Sequence, residues 1–369
     1  MYRVSVIDVV YLHALMASLS VRFVAARYTL LRFTQITVLL VVYLGVLLPL
    51  PARALDHTQL AVIVNTADPL SVQIGEYYAE RRNISFQNVI KVEFPPGKAS
   101  LTREEFDAIK ATVDERTLRH VQAYALTWAA PYRVECMSIT TAFAFGVDPT
   151  FCAQGCNITQ SSRYFNSPST LPFTQLKMRP TMAIAATTFE QAKALIDRGV
   201  ASDGMLPAGS AYLLSTSDTA RNVRSATYPL VEQLIKGRVF GRTMKQNSVK
   251  YADDVLFYFT GVSQVDGLDT LKFLAGAIAD HLTSAGGNLT DSSQMSALRW
   301  LEAGATGSYG AVVEPCNLPQ KFPAIPIVIG RYLQGETLIE AYWKSVQMPG
   351  QGIFIGEPLA APFRRANPR

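Results

Sequence analysis

The sequence predicts a three-layer α/β fold, in which helices cover both faces of a mostly parallel central sheet. Short apolar runs typical of buried strands alternate with segments that have the periodicity of amphipathic helices. With 49% apolar and 17% charged residues, the composition is that of a globular protein. Residues 55–369 are near the upper limit for one hydrophobic core. We therefore expect a single domain over 55–369, with a loop-rich insertion near 131–180.

Residues 1–54 have the features of a leader. Arg residues precede an apolar run over 36–50, which is followed by Pro-Ala-Arg-Ala. This order is typical of a secretory signal that is cleaved after Ala54. An uncleaved anchor is the alternative, although a spanning helix needs about 20 apolar residues. We expect export to the periplasm or the exterior, with the membrane reached only through an uncleaved leader.

The charge of the domain argues against nucleic acid as a partner. The whole chain carries +5, but residues 1–54 hold five Arg and one Asp, so that 55–369 carries +1. A near-neutral domain has no electrostatic attraction for a phosphate backbone. The sequence also has no Gly-rich nucleotide fingerprint, P-loop or G-x-S-x-G elbow. We expect no cofactor.

The first elements form strand–helix units. Residues 60–65 and 89–94 are expected to be strands, with a helix over 71–82 between them. A capping box from Thr102 to Glu105 begins the next helix, because the hydroxyl and the carboxylate accept hydrogen bonds from N–H groups at the helix start. This helix is expected to run to about residue 118, and 120–128 follows as a strand.

The regular pattern stops between Pro131 and Pro180, where Gly, Pro, Ser, Asn and Cys are frequent. This composition predicts either a functional excursion or a stapled loop. A second capping box, Thr187 to Glu190, then begins a helix that ends near Gly199. The remaining strands are expected at 181–186, 211–214, 255–259, 273–278, 307–313 and 352–355, and the remaining helices at 293–303 and 337–346.

Ligands of open α/β sheets bind outside the carboxyl ends of the strands, which makes Cys316 and His281 the strongest catalytic candidates. A thiol needs a base or a positive neighbour to become a nucleophilic thiolate, and Cys316 directly follows a predicted strand. His281 is the candidate base, since the other histidines of the domain lie away from this edge. Asp280 or Glu314 would orient His281. Glu357 also follows a strand and was selected by the same rule.

The four cysteines also fit disulfides. An even number of Cys in an exported chain favours disulfides, with three connectivities open. Cys152 and Cys156 are close enough to close a small loop, which would leave Cys136 to pair with Cys316. Cys152 and Cys156 could supply half of a zinc ligand set, but neither a second close pair of Cys nor a nearby His completes it. We expect no metal.

A second candidate site directly follows the strand expected at 211–214. Ser217, Asp218 and Arg221 could bind an anionic or sugar-like ligand, because Arg offers several donors in one plane. In the alternative interpretation, which we favour, Ser217 or Asp218 caps a helix and the Arg side chains, including Arg224, are solvated.

A resemblance to a known family rests on segments 60–65, 77–79, 197–200, 212–218, 220–222, 280–284, 297–310, 314–315 and 356–358. Together they resemble an uncharacterised family of exported bacterial proteins, which occurs in genomes that carry exosortase and PEP-CTERM sorting. The resemblance covers nearly the whole domain and implies an association with envelope and exopolysaccharide biology, but no activity. The chain has no Pro-Glu-Pro sorting tail, so that it would be a companion of the sorted proteins.

More distantly, the order of elements is similar to the caspase-like fold of gingipain-type peptidases; a flavodoxin-like sheet is the other candidate. In those peptidases a His-Gly follows one strand and a catalytic Cys follows the next. This sequence has Thr260-Gly261 at the first place and Asp280-His281 at the second. The resemblance therefore implies either a relocated dyad of His281 with Cys316 or a catalytically inactive relative.

Two functions remain as hypotheses. One is a Cys-dependent peptidase or amidohydrolase of the envelope that uses Cys316 and His281, and it requires a free thiol. The other is a non-catalytic or degenerate caspase-like protein that binds an envelope protein or polysaccharide through the 131–180 insertion. We favour the second, because both catalytic positions expected from the caspase-like fold are vacant.

Overall fold

The computed structural model describes residues 54–153 and 156–365. Residues Ala54–Arg369 form one compact unit. The predicted leader, apart from Ala54, lies outside the described residues. Within the described ranges, no helix is long and apolar enough to cross a membrane.

The unit is built around one large sheet and one small sheet. The strands are β1 (Leu60–Asn65), β2 (Val89–Val92), β3 (Ser100–Leu101), β4 (Ala123–Leu126), β5 (Arg133–Val134), β6 (Met137–Ser138), β7 (Thr181–Ala183), β8 (Ser210–Leu214), β9 (Phe240–Met244), β10 (Val255–Thr260), β11 (Phe273–His281), β12 (Gly307–Ala311) and β13 (Gly352–Gly356). The large sheet has ten strands in the order β2-β1-β4-β7-β13-β12-β11-β10-β8-β9 and is mostly parallel. The small sheet has the order β3-β5-β6.

Helices lie on both faces of the large sheet. They are α1 (Pro69–Arg81), α2 (Arg103–Arg116), α3 (Ile139–Phe145), α4 (Pro172–Leu176), α5 (Phe189–Ser202), α6 (Tyr228–Ile235), α7 (Leu298–Ala303), α8 (Ile325–Leu333) and α9 (Leu338–Ser345). Successive side chains of a strand point to opposite faces. On β10, Tyr258 packs against Trp300 of α7, whereas Phe257 packs against Tyr332 of α8. The predicted three-layer α/β fold is confirmed.

Strand β13 is antiparallel to its neighbour β12. Gly356 pairs with Gly307, and Gly352 pairs with Ala311. We call the edge at which β10, β11 and β12 begin the amino edge, and the edge at which they end the carboxyl edge. Because β13 ends at the amino edge, Glu357 lies there, where its N–H donates to the carbonyl of Thr306. The expected place of Glu357 at the carboxyl edge is therefore wrong.

The caps confirm the predicted start of one helix and correct the predicted start of another. The capping box of Thr102 and Glu105 is present at the start of α2. Helix α5 instead begins after Thr188, whose hydroxyl accepts from the N–H of Gln191. It also continues past Gly199 to Ser202. Gly199 is therefore an interior residue of α5 and not its end.

The 131–180 insertion contributes to the core. Helix α3 is buried from Ile139 to Ala144, and Ser138 caps it and donates to the carbonyl of Gly352. Phe145 stacks on Phe151 with 4.5 Å between the ring centroids. Only residues 156–170 of this insertion form a long stretch without helix or strand within the described ranges. The insertion is therefore partly a packed element of the domain.

Candidate functional site

The carboxyl edge brings together candidate residues from three segments. Strand β11 ends in Asp280 and His281, whose side chains point to opposite faces because they are neighbours on a strand. A 3₁₀ helix over Asn222–Thr227 follows β8 and supplies Arg224. Cys316 lies in the loop that follows β12.

Asp280 forms a buried ion pair with Arg224. Asp280 Oδ1 lies 2.6 Å from an Arg224 guanidinium nitrogen, and the two side chains are 1% and 5% exposed. The same nitrogen donates to the carbonyl of Thr260. Among the described residues, Asp280 Oδ2 and Arg224 Nε have no hydrogen-bond partner. Burial raises the pKa of Asp280, although the charge of Arg224 acts in the opposite direction. The expectation that Arg224 is solvated is therefore wrong.

His281 is held from both ring nitrogens. The indole N–H of Trp300 donates to Nδ1 at 2.9 Å, and Nε2 lies 3.0 Å from the carbonyl oxygen of Met295. Because the Trp N–H can only donate, Nδ1 is the acceptor and Nε2 carries the proton. Burial lowers the pKa of His281 to about 4. The imidazole is therefore neutral at pH 7. The lone pair of Nδ1, which could otherwise take up a proton, already accepts the hydrogen bond from Trp300.

All four cysteines are in disulfides, but the pairs differ from the expected ones. Cys136 bonds Cys152, and Cys156 bonds Cys316, with Cα atoms 5.5 and 5.3 Å apart. The expected pairing of Cys152 with Cys156 is wrong because the chain before Cys152 turns back to the β5–β6 hairpin. There the N–H of Asp148 approaches the sulfur of Met137 at 3.4 Å. Cys152 consequently lies next to Cys136, and Cys156 pairs with Cys316 in the loop that follows β12.

The structure does not assemble the predicted Cys–His dyad. The sulfur of Cys316 is bonded to that of Cys156, so that no thiol is present. Neither ring nitrogen of His281 is available to it. Glu314 accepts from the backbone N–H of Cys316 at 2.7 Å, in a turn where Cys316 has a φ of +54°. Glu314 thus shapes the turn and does not orient His281.

In the second candidate site, the polar side chains form hydrogen bonds and an ion pair within the protein. The N–H and the hydroxyl of Ser217 both donate hydrogen bonds to Asn247 Oδ1. Asp218 accepts from the backbone N–H of Arg221 and pairs with the guanidinium of Arg221 at 2.8 Å. Asp218 therefore caps the turn over 219–221 and not the 3₁₀ helix that follows, whose N-cap residue is Arg221 and which has no side-chain cap. Ser217, Asp218 and Arg221 remain candidates for ligand binding only if a ligand replaces these internal partners.

The described ranges contain no cluster of metal ligands. In residues 54–153 and 156–365, no three His, Cys, Asp or Glu side chains are grouped to hold a metal ion. Because the four sulfurs are in disulfides, none of them can bind zinc as a thiolate.

A second polar cluster, which the sequence did not predict, lies at the amino edge. Glu357 is fully buried, and its Oε1 accepts from the hydroxyl of Tyr78 at 2.6 Å and from Arg82 Nε at 3.0 Å. Arg82 also pairs with Glu357 Oε2 and with Asp203. Burial and the charge of Glu357 raise the pKa of Tyr78 well above its usual value. A Cβ on Gly199 would lie 2.5 Å from Glu357 Cγ, so that α5 can pass only because this residue is glycine.

A signal for this amino-edge cluster was present in the sequence. Segments 77–79, 197–200 and 356–358 all belong to the family resemblance, and all three meet at the cluster. In this structure the three segments fasten α1 and α5 to the chain that follows β13.

No protein-family model matches the chain, and no curated protein matches it. Among solved structures, a chain of the complex of Porphyromonas gingivalis RgpB pro- and mature domains is similar, with a TM-score of 0.44 and 10% sequence identity. The match covers 82% of this chain and 79% of that chain. A likeness at this distance brings neither a residue role nor an activity to the present chain.

Proposed function

We propose that the chain is an exported, non-catalytic envelope protein that binds a protein or polysaccharide partner. One observation carries the proposal: the acceptor nitrogen of His281 is occupied by Trp300, and the sulfur of Cys316 is in a disulfide. A nucleophile and base must lie within hydrogen-bond reach of each other, with a lone pair free on the base. The two disulfides are consistent with an oxidising compartment.

The proposed binding surface is the segment 156–170, which we call the pinned segment. It has no helix or strand, yet its backbone is fixed at several points. The Cys156–Cys316 disulfide ties it to the carboxyl edge. Further along, the N–H groups of Ser162 and Asn166 donate to carbonyls in 344–347 at 2.7 and 2.8 Å. A surface loop that is already ordered loses less conformational entropy on binding.

The pinned segment also has an apolar contact point. Ile158 is 74% exposed, and Thr159 beside it is buried. The resemblance to exported proteins of exosortase-bearing genomes supports an envelope partner. The companion role and the exopolysaccharide setting are parts of the same proposal.

Thiol labelling tests the non-catalytic assignment. In protein isolated without reductant, we expect Cys316 to occur only in a peptide that is linked to Cys156. The Cys156→Ser variant releases Cys316 as a thiol, and its alkylation rate is then compared with and without His281→Gln. We expect equal rates, because the ring nitrogens of His281 are engaged elsewhere. Alkylation of Cys316 in unreduced protein, slowed by His281→Gln, would instead establish a catalytic pair.

A further inference from the structure

Strand β9 is the outermost strand of the large sheet, and its open edge is exposed. Phe240 to Thr243 are exposed, and β9 pairs with β8 on one side alone. The N–H of Phe240 donates to the carbonyl of Gly209, and the carbonyl of Met244 accepts from Ser215. In a parallel ladder, alternate residues bond to one neighbour. Gly241 and Thr243 therefore direct their N–H and C=O groups away from the sheet.

The chain around β9 carries an excess of positive charge. Residues 233–252 contain five Lys or Arg and no Asp or Glu, in a domain whose net charge is close to zero. One of the five lies within the strand and two lie on each side of it, and all five are exposed. They are Lys236, Arg238, Arg242, Lys245 and Lys250.

Four of these cations lack a carboxylate partner. Within the described residues, only Arg242 of the five is in an ion pair, at 3.4 Å from Asp254. On the exposed face of α2, by contrast, Arg103 and Lys110 each pair with an Asp four residues later. The charge at β9 is thus available to a partner from outside.

An aromatic side chain is exposed on the same strand. Phe240 on β9 is 67% exposed. Tyr251 is also exposed, but it lies against the β10–β11 connection, where its N–H donates to the hydroxyl of Thr270. Proteins often protect an edge strand with charged residues. Protection does not account for an exposed aromatic ring beside the charges.

We propose that β9 is the docking strand for an extended, acidic segment of a partner protein, which adds to the large sheet as an eleventh strand. The outward N–H and C=O groups of Gly241 and Thr243 recognise a peptide backbone. The cations on both sides select Asp and Glu side chains, and Phe240 provides apolar contact. A polysaccharide would satisfy the charges, but it would not match the alternating donors and acceptors of a strand.

This surface is separate from the pinned segment. Four strand spacings of about 4.8 Å separate β9 from β12, which precedes the loop of Cys316. The proposal therefore goes beyond the proposed function, and the two can fail independently. Changes at Cys316 or His281 are not expected to affect binding at β9.

A displayed library of random 12-residue peptides, selected on the full chain, tests the proposal. We expect the enriched peptides to be acidic, rich in β-branched residues and free of Pro. The Thr243→Pro variant removes an outward N–H and leaves the ladder to β8 intact, and it should weaken a selected peptide at least tenfold. Lys236→Glu with Lys245→Glu should do the same, whereas Lys110→Glu on α2 should leave the affinity within twofold.

Further measurements separate the alternatives. Methylation of the backbone nitrogens of a selected peptide should abolish binding, and circular dichroism of each variant verifies that it folds. Three results would overturn the proposal: no acidic peptide is enriched, selected peptides bind Thr243→Pro and the Lys→Glu variant normally, or polygalacturonate binds at β9 while the peptides do not. The last result would assign the surface to an acidic polysaccharide.

Discussion

The amino edge and the carboxyl edge each hold a buried carboxylate that is paired with Arg, but the two pairs differ in how completely they are hydrogen-bonded. Both oxygens of Glu357 have partners, which Arg82 and Tyr78 supply. Asp280 uses one oxygen for Arg224, and its second oxygen has no partner in the part of the chain that the structure describes. A buried charge is tolerated when its hydrogen bonds are satisfied, and otherwise its pKa shifts toward the neutral form.

The difference indicates distinct roles for the two edges. At the amino edge, the cluster fastens helices to the chain after β13, and its geometry leaves no oxygen of Glu357 for another partner. At the carboxyl edge, Asp280 has a raised pKa and a vacant oxygen, so that it can accept a proton without losing all its contacts. The edge that sequence rules nominate for chemistry is thus the less tightly hydrogen-bonded of the two.

The largest effect is expected at the amino edge. Arg82→Met would leave Glu357 buried without a cation, and removal of one partner from a buried pair costs about 3–5 kcal/mol. Urea unfolding at pH 7 measures this loss. Arg81→Met is the matched control, because the Arg81 pair with Asp197 has side chains 39% and 35% exposed. We expect the control to lose less than about 1 kcal/mol. Equal losses would mean that the cluster does not fasten the fold.

A smaller, pH-dependent effect is expected from Arg224→Met. The variant should lose about 3 kcal/mol at pH 7, because Asp280 then lacks its counter-charge. Asp280 already has a raised pKa, and loss of Arg224 raises it further. The folded variant therefore binds a proton more readily as pH falls. The difference in the free energy of unfolding between wild type and variant should then shrink between pH 7 and pH 5. A deficit that does not change with pH would contradict this account of Asp280.

The smallest effect concerns His281. Its folded pKa of about 4 lies below the usual 6.5, so that its stabilising contribution is present above pH 6.5 and is lost as pH falls toward 4. Between pH 7 and pH 5 the wild type should lose about 2 kcal/mol that His281→Gln does not lose. His120→Gln, at an exposed histidine, is the matched control for the substitution itself. The same slope in wild type and His281→Gln would exclude a buried neutral imidazole.

Much of the sheet could be predicted because its strands are apolar runs. Leu60–Asn65 is uninterrupted and fully buried, and the predicted strand matches β1 at both ends. Strand β9 was missed, since Phe-Gly-Arg-Thr-Met has no alternating pattern and its residues bury little surface. It is a strand because β8 supplies the ladder. Helix α3 was missed because it is short and is buried on all sides from Ile139 to Ala144, so that its sequence has no polar, solvent-facing side to mark a helical period.

The candidate site was only partly predictable. Position in the chain places His281 at the end of a strand, but it does not reveal that Trp300 occupies its acceptor nitrogen. Four cysteines allow three pairings, and only the turn back to the β5–β6 hairpin decides among them. The direction of β13 was also not predictable, because an apolar strand has the same pattern in either direction. This direction alone moved Glu357 to the amino edge.

The position of β13 has a consequence for the order of folding. In the described sheet, β13 is the last strand in the chain, yet it lies between β7 and β12. It is the sole connection between a group of four strands and a group of five. Until residues 352–356 are in place, β7 and β12 are unpaired inner edges that can capture strands from other molecules. Their closure depends on contacts between residues far apart in sequence, which form slowly. A newly made chain would therefore need protection from self-association until its final strand is inserted.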